Sequence, residues 1–320
     1  MVHLRVIAPP DQARAALQLL KDNPAACHLV HLPGVAHAPE GDMILVDVPR
    51  EEASVVVGDL KHLGIPEKGA ISVEPIEVQL SVLADEAERK APGAPADAVV
   101  WEEVEARTSE QTRLSGVFLV FMVLAAIIAT VGIYLDQAIL IVGAMVVGPE
   151  FGPIAAFCVA AVELRGKLAL QSFGALALGF PLAITAAYVA SLVFRATGLT
   201  PDTFTAGDHG LANSISNPDW FAFIVAFCAG VAGMLSLSTA KSGALIGVLI
   251  SVTTIPAAAN VAIAFTYGQW DDWRGSLAQL ALNVAGILLA GTLTLWVQRM
   301  LYRSRRIAHL KEKRATRAAS

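Results

Sequence analysis

Residues 114–157 read LSGVFLVFMVLAAIIATVGIYLDQAILIVGAMVVGPEFGPIAAF, and the only charges in the stretch are Asp136 and Glu150. The opening apolar run is as long as the roughly 20 residues that cross the hydrocarbon core of a bilayer. From there to residue 300 charges nearly vanish. Residues 1–112, by contrast, have the mixed charge of a soluble protein. The chain as a whole is 55% hydrophobic with a mean hydropathy of +0.59. A soluble domain rarely exceeds about half apolar, so the excess belongs to a membrane domain. The net charge of −5 averages two different solvents and carries no information about partners.

Working outward, six spans are expected, at about residues 113–134, 137–162, 168–195, 219–239, 242–267 and 277–300. The connections alternate in character. Arg165/Lys167, Lys241 and the tail (Arg299, Arg303, Arg305, Arg306, Lys311, Lys313, Arg314, Arg317) are basic. Asp136, then Asp202, Asp208 and Asp219, then Asp271 and Asp272 mark the other side, with Arg195 and Arg274 as its few cations. The positive-inside rule places both termini in the cytoplasm, as an even number of spans requires. The opening MVHLRVIAPP lacks a signal-peptide pattern.

The two halves of the membrane region look related. A shift of 100 positions lays Phe121 on Phe221, Ala126 on Ala226, Ala129 on Ala229, Val131 on Val231, Leu135 on Leu235 and Gly143-Ala144 on Gly243-Ala244. A longer offset lays Pro153 on Pro256, and Gly174 and Gly179 on Gly286 and Gly291. Three spans per half would make the repeat inverted, as in many secondary transporters. The second span of each half is interrupted. One carries Gly143, Gly148, Pro149, Glu150, Gly152 and Pro153; the other carries Ser251, Thr253, Thr254, Pro256 and Asn260. Each proline removes a backbone donor, and Thr and Ser hydroxyls can satisfy freed carbonyls. Unwound backbone at this depth is tolerated only against protein or a water-filled cavity. Matched interrupted helices therefore point to a midplane substrate or ion site; kinking and close helix packing are the plainer reading. Glu150 sharpens the case, because a carboxylate at membrane depth usually marks function. Between two prolines it can meet the positive ends of half-helices, and it suits proton coupling. Asn260 is expected to face the same interior, with Asn283 and Gln298 weaker candidates. The loop 196–218 is rich in turn residues and suits a cap or a subunit contact.

Residues 1–80 carry short β-like runs at 3–8, 27–32, 43–48 and 70–76, with Leu4/Val6 and Ile71/Val73 alternating, and two helical stripes, Ala13/Ala16/Leu17/Leu20 and Ala53/Val56/Val57/Leu60. Pro33-Gly34 and residues 40–42 read as breakers before the third strand. The order βαββαβ is the ferredoxin-like arrangement, used for assembly or for ligand sensing. His28 and His31 stand an odd number apart, so a regular strand points them to opposite faces and no metal site is expected. Cys27, Cys158 and Cys228 have no metal spacing and read as reduced fillers. Residues 81–112 form a linker, with a break at Pro92-Gly93-Ala94-Pro95 and then a helix from Asp97, its N-cap. The apolar patch Val100, Trp101 and Val104 on that helix is expected to pack against protein, because the surrounding acids are repelled by an anionic leaflet. Residues 301–320 are a basic tail.

At GAMVVGPEFGPIAA and SGALIGVLISVTTIPAAANVAIA, supported by ARTSEQTRLSGVFLVFMVLAAIIATVGIYLDQAILIVGAM, the chain resembles the bacterial membrane family called domain of unknown function 389. The resemblance covers roughly residues 107–300. Gly143-Ala144-Met145, Gly148-Pro149 and Gly152-Pro153-Ile154 match its motifs, while Glu150 stands where the family commonly has an apolar residue. The resemblance implies a multi-pass protein of the bacterial plasma membrane and transfers no substrate. The expectation is a secondary transporter or channel-like permease for a small solute or ion, embedded in lipid and homo-oligomeric, with the N-terminal domain regulating or assembling it. The alternative is a membrane-anchored sensor or scaffold. No P-loop, HExxH or nucleophile elbow is present, so neither an enzyme nor a cofactor nor a nucleic-acid partner is expected.

Overall fold

A computed structural model describes the chain except residues 92–98, 112–113, 202, 240–246, 249, 251–252 and 320; for residues 107, 109–111, 208 and 303–319 it describes the backbone alone. The expected break at 92–95, the Asp97 cap, Arg113, Asp202, Lys241, the Gly243-Ala244 match and Ser251 lie outside the described residues, as do the tail side chains. Two compact units result. One is Met1–Val104 with Ser238–Ala240 and Arg305–Ser320; the other is Glu105–Leu237 with Lys241–Ser304.

The first unit is built on a four-stranded antiparallel sheet of order β2-β3-β1-β4. Its elements are β1 (Val2–Ala8), α1 (Pro10–Lys21), β2 (Cys27–His37), β3 (Glu40–Val48), α2 (Arg50–His62), α3 (Ile65–Lys68) and β4 (Ala70–Pro75). β1 and β2, joined through α1, hold β3 between them; β3 and β4, joined through α2, hold β1 between them. Alternation sets the register. Val2, Leu4, Val6 and Ala8 point to one face opposite Val48, Val46 and Ile44. Ala13, Ala16 and Leu20 of α1 and Ala53, Val56, Val57 and Leu60 of α2 close over that face. Val100 joins the same core, so the patch around it packs on protein, not on lipid.

Three local expectations need correction. Pro33-Gly34 does not end a strand: β2 runs to His37 and turns only at 38–39. Its register slips between Leu32 and Ala36, and the Gly34 N–H donates to Asp42 Oδ1 at 2.9 Å, so the sheet absorbs the irregularity as a bulge. Residues 40–42 accordingly open β3. The linker also contains a helix, α4 (Val82–Lys90), capped by Ser81 Oγ, which accepts from the Ala84 N–H. The helix after it, α5, is Trp101–Gln111.

The second unit holds four helices long and apolar enough to cross a membrane: α6 (Gly116–Tyr134), α9 (Gly166–Ala196), α11 (Trp220–Ser238) and the Trp270–Tyr302 part of α13 (Trp270–Ala319). The pair α7 (Ala138–Val147) and α8 (Phe151–Glu163), bent by 50° at the break between them, is together long and apolar enough to be a broken span or a re-entrant loop. Among the described residues the unit also contains α10 (Gly210–Ser216) and the 13-residue α12 (Thr254–Thr266). These helices are apolar on both faces. Along α6, Met122, Ala126 and Ile133 are buried while Val117, Val120 and Leu124 are exposed. Exposed apolar surface on this scale is what a bilayer covers. The expected final span begins earlier than residue 277, and its helix continues through the tail.

Candidate functional site

The break between α7 and α8 gathers the expected site residues. Gly148 ends α7 with extended backbone, Pro149 and Glu150 bridge, and α8 starts at Phe151. Pro153 therefore stands in the first turn of α8, where its N–H would have had no helical partner anyway. Pro256 stands in the first turn of α12 in the same way. The two prolines begin helices; they do not interrupt them. α8 and α12 are both 13 residues long, and the same 103 positions separate Phe151 from Thr254 and Pro153 from Pro256.

Glu150 is 5% exposed. Its Oε1 accepts a 2.6 Å hydrogen bond from the Thr254 hydroxyl, the first residue of α12. Its Oε2 is buried with no hydrogen-bond partner. The break thus joins the starts of two helices that lie far apart in sequence. Gly148 makes room for the carboxyl: a Cβ there would overlap Glu150 Oε2 and come within 2.8 Å of Ile255 Cγ1. Gly143 lies in α7 with open space around it, and Gly152 is the second residue of α8.

Neither threonine returns to a backbone carbonyl, contrary to expectation. Thr254 donates to Glu150, and Thr253 Oγ1 accepts from Asn283 Nδ2 at 3.0 Å and from Gln279 Nε2 at 3.4 Å. Gln279 also donates to Asn283 Oδ1 at 3.3 Å, while its own buried Oε1 has no partner. Asn260 is buried but does not reach Glu150. Its Nδ2 donates to Ser216 Oγ at 2.9 Å and Ser276 Oγ at 2.8 Å. Six residues of helix, about 9 Å, separate Asn260 from Thr254. On α13, Ser276, Gln279 and Asn283 fall at helical spacing along one face. They form the other side of a polar seam that runs from the break to α10. Sequence reading found Asn283 and missed Ser276, Gln279 and Ser216. The available signal was the three-and-four spacing of polar residues in an otherwise apolar span.

At the seam's far end the loop 197–219 is folded down. Phe204 and Ala206 are buried, and Phe204 stacks on His209 at 4.4 Å between centroids. Tyr134 meets Phe204 edge-on at 5.3 Å, and Arg195 lies over the Tyr267 ring at 5.3 Å. Asp136 Oδ1 accepts the Leu211 N–H at 3.0 Å. Gly275 lets α10 approach, because a Cβ there would overlap the Ser216 carbonyl oxygen. At the opposite end of the helices Glu163 pairs with Arg299 at 3.3 Å, and Arg165 bonds Glu105.

Three histidines of the first unit bond two acids: His31 takes Asp42, while His3 and His28 share Asp47. His31 Nε2 meets Asp42 Oδ2 at 2.8 Å. His28, held at a left-handed φ of 50°, meets Asp47 Oδ2 at 2.8 Å through Nδ1 and Ser81 Oγ at 2.9 Å through Nε2. His3 Nδ1 takes Asp47 Oδ1 at 2.6 Å, and Gln79 Nε2 donates to Oδ2 at 2.7 Å. Burial works to raise the Asp47 carboxyl, but the hydrogen bonds from His3, His28 and Gln79 outweigh it and hold the group below the usual carboxylate range. The His31 bond, then the Gly34 N–H, does the same for Asp42. Burial, then the Asp47 charge, pushes the Cys27 thiol up. Among the described residues no group of His, Cys, Asp or Glu is arranged for a metal. The three cysteines are free, with Cys158 buried and Cys228 exposed.

No solved structure matches the chain. The chain is similar to the Uncharacterized protein MJ0678 of Methanocaldococcus jannaschii, 26% identical over 216 residues, which are 65% of this chain and 61% of that protein. The chain thus spans about three fifths of the length of that relative, which is archaeal, whereas the resemblance in sequence pointed to a bacterial family. Residues 145–289, the stretch with the break, Glu150, Thr254 and the polar seam, match the family described as Domain of unknown function (DUF389).

Proposed function

We propose that the second unit is a permease, a secondary transporter or channel-like protein, whose substrate passes at the break between α7 and α8 and the start of α12. The observation that carries this reading is the Glu150–Thr254 contact between two half-length helix starts at matched sequence positions. Buried polar groups that bond each other across apolar helices are costly to bury in a membrane core. Their continuity toward α10 suits a path for a solute. In this reading there are six spans, with 242–267 as the fifth. The repeat is inverted, both termini are cytoplasmic in a plasma membrane, and the protein is a homo-oligomer. The ferredoxin-like first unit regulates or assembles it.

A second reading has its own support. β2 is an edge strand with Val30, Leu32 and Val35 exposed, which suits a scaffold or sensor acting through the first unit.

The test is ion and solute flux in proteoliposomes, with and without a pH gradient, for the full chain against protein-free vesicles. Flux that Gly148→Leu blocks while the protein elutes as wild type supports the permease. No flux across a broad panel of inorganic and organic ions sinks it and favours the scaffold.

A further inference from the structure

The permease reading leaves open how a solute reaches the polar seam, because the seam is shut at its far end. Asn260, Ser276 and Ser216 are all buried there. Asn260 and Ser276 belong to the packed helices α12 and α13. Ser216 instead ends α10, which is carried by the same loop as Phe204. α10 is thus the cover, and the two helices are what it covers.

This cover is fastened differently from the helices around it. Among the described residues, the hydrogen bonds that tie it to other elements use side chains. The Tyr267 hydroxyl donates to the Pro201 carbonyl at 3.0 Å, Gln269 Nε2 donates to the Phe204 carbonyl, and Asp136 Oδ1 accepts the Leu211 N–H. Its backbone-to-backbone bonds stay inside it, from the His209 N–H to the Ala206 carbonyl and from the Asn213 N–H to the His209 carbonyl. Segments held without a shared backbone ladder are the ones that open at low free energy. The largest apolar anchor is Phe204, whose ring meets Tyr134 and Tyr267 at 5.3 and 5.7 Å between centroids. Both ends can bend. Gly198 follows α9 at a left-handed φ of 73°, and Asn217-Pro218 separates α10 from α11. A few loop residues of this kind absorb the dihedral changes of a hinge. The contact beneath the cover is also suited to opening. Asn260, Ser216 and Ser276 exchange one set of hydrogen bonds for another when water enters, whereas an apolar contact would lose its burial.

We propose, resting on the permease reading, that α10 and the loop bearing Phe204 form a hinged lid over this end of the polar seam. The lid swings about Gly198 and Asn217-Pro218. Tyr267, Gln269 and Asp136 latch it by its backbone, and the Phe204 ring is its plug against Tyr134 and Tyr267. Gly275 sets how deeply it closes, because a Cβ there would overlap the Ser216 carbonyl oxygen. Lifting the lid withdraws Ser216 from Asn260 and Ser276 and opens the seam to water and solute.

The test is labelling of the purified full chain carrying Ser276→Cys with a charged methanethiosulfonate reagent, each cysteine being followed by peptide mass spectrometry. Ser276 and the native Cys158 are both 0% exposed, and Cys158 lies on α8 with its thiol against the Leu288 carbonyl. Labelling at Cys158 therefore reports general loosening, and labelling at position 276 reports the lid. We expect position 276 to label in the folded protein, and faster than Cys158. Tyr267→Phe keeps the ring and removes one latch bond, so it should speed labelling at 276 by about threefold or more. Phe204→Ala should speed it by at least about tenfold. Cys158 should be unchanged in both. The proposal is overturned if position 276 labels no faster than Cys158, if neither variant changes its rate, or if the variants speed both sites alike. Flux in proteoliposomes separates the lid from the permease. Ser216→Cys combined with Ser276→Cys, at hydroxyls 3.5 Å apart, should close a disulfide under mild oxidant and stop flux until it is reduced. Flux that ignores the closed disulfide keeps the permease and refutes the lid; labelling as expected with no flux from the wild type or any variant keeps the lid and refutes the permease.

Discussion

Replacing Thr254 by Val removes a hydroxyl and keeps the shape, so its cost isolates the contact that joins the two broken helices. The wild-type Glu150 carboxyl has one hydrogen bond, at 2.6 Å, and one orphaned buried oxygen. Thr254→Val leaves both oxygens without a side-chain donor. Leaving a buried polar group without its partner costs about 1–3 kcal/mol, so we expect a loss of about 2 kcal/mol. For a helical unit of this size that is a fall in Tm of about 4–8 °C. Replacing both partners with apolar groups of similar shape can be nearly neutral. Glu150→Leu combined with Thr254→Val should therefore be more stable than Thr254→Val alone. The double-mutant cycle, read by thermal unfolding in one detergent at one pH, should give a coupling of at least about 1.5 kcal/mol. A coupling below about 0.5 kcal/mol would show that the two half-helices are not joined through this pair, and the account of the break would fall with it.

Three further outcomes follow from the geometry. Gly275→Ala should destabilise by about 2–4 kcal/mol, because its Cβ would overlap the Ser216 carbonyl oxygen and part α10 from α13. Gly174→Ala, with open space around it in α9, should gain up to about 1 kcal/mol from helix propensity; equal Tm values for the two would refute the close approach. Asp47→Asn should loosen the strands it joins by about 1–2 kcal/mol after discounting for the partial exposure of His3 and His28, seen as faster amide exchange in β1 and β3. Because the folded Asp47 carboxyl lies below its ordinary value, its contribution is complete above the unfolded value, about 3.9, and is lost as pH falls through the folded one. Exchange in the wild type should thus approach that of Asp47→Asn on acidification, and an unchanged gap between them would refute the linkage. Ser81→Ala should cost about 1 kcal/mol by uncapping α4, read as faster exchange at Ala84 and its neighbours, whereas unchanged exchange there would refute the cap.

What local sequence could determine, it did, because the signals are periodic and short-ranged. Alternation marked β1 and β4, helical stripes marked α1 and α2, and apolar length marked the long apolar helices without reference to anything distant. The Pro153 to Pro256 spacing was visible as well, and it matched the starts of α8 and α12. Errors arose where a residue's partner lies elsewhere in the chain. Gly34 looked like a strand end because the Asp42 carboxylate that accepts its N–H is not a local signal. The cap of α4 rests on one serine without a reciprocal acid three residues on, so it left little pattern. Pro153 and Pro256 looked like interruptions because sequence alone does not say which side of a proline the helix occupies. The site depended most on tertiary structure. Glu150 and Thr254 are 104 residues apart, and Asn260 and Ser216 are 44 apart. Hydropathy could say that these polar groups are expensive in an apolar span, but hydrogen bonding is directional and short-ranged. Only the packed helices decided that Thr254 answers Glu150 while Asn260, on the same helix, turns to Ser216 and Ser276.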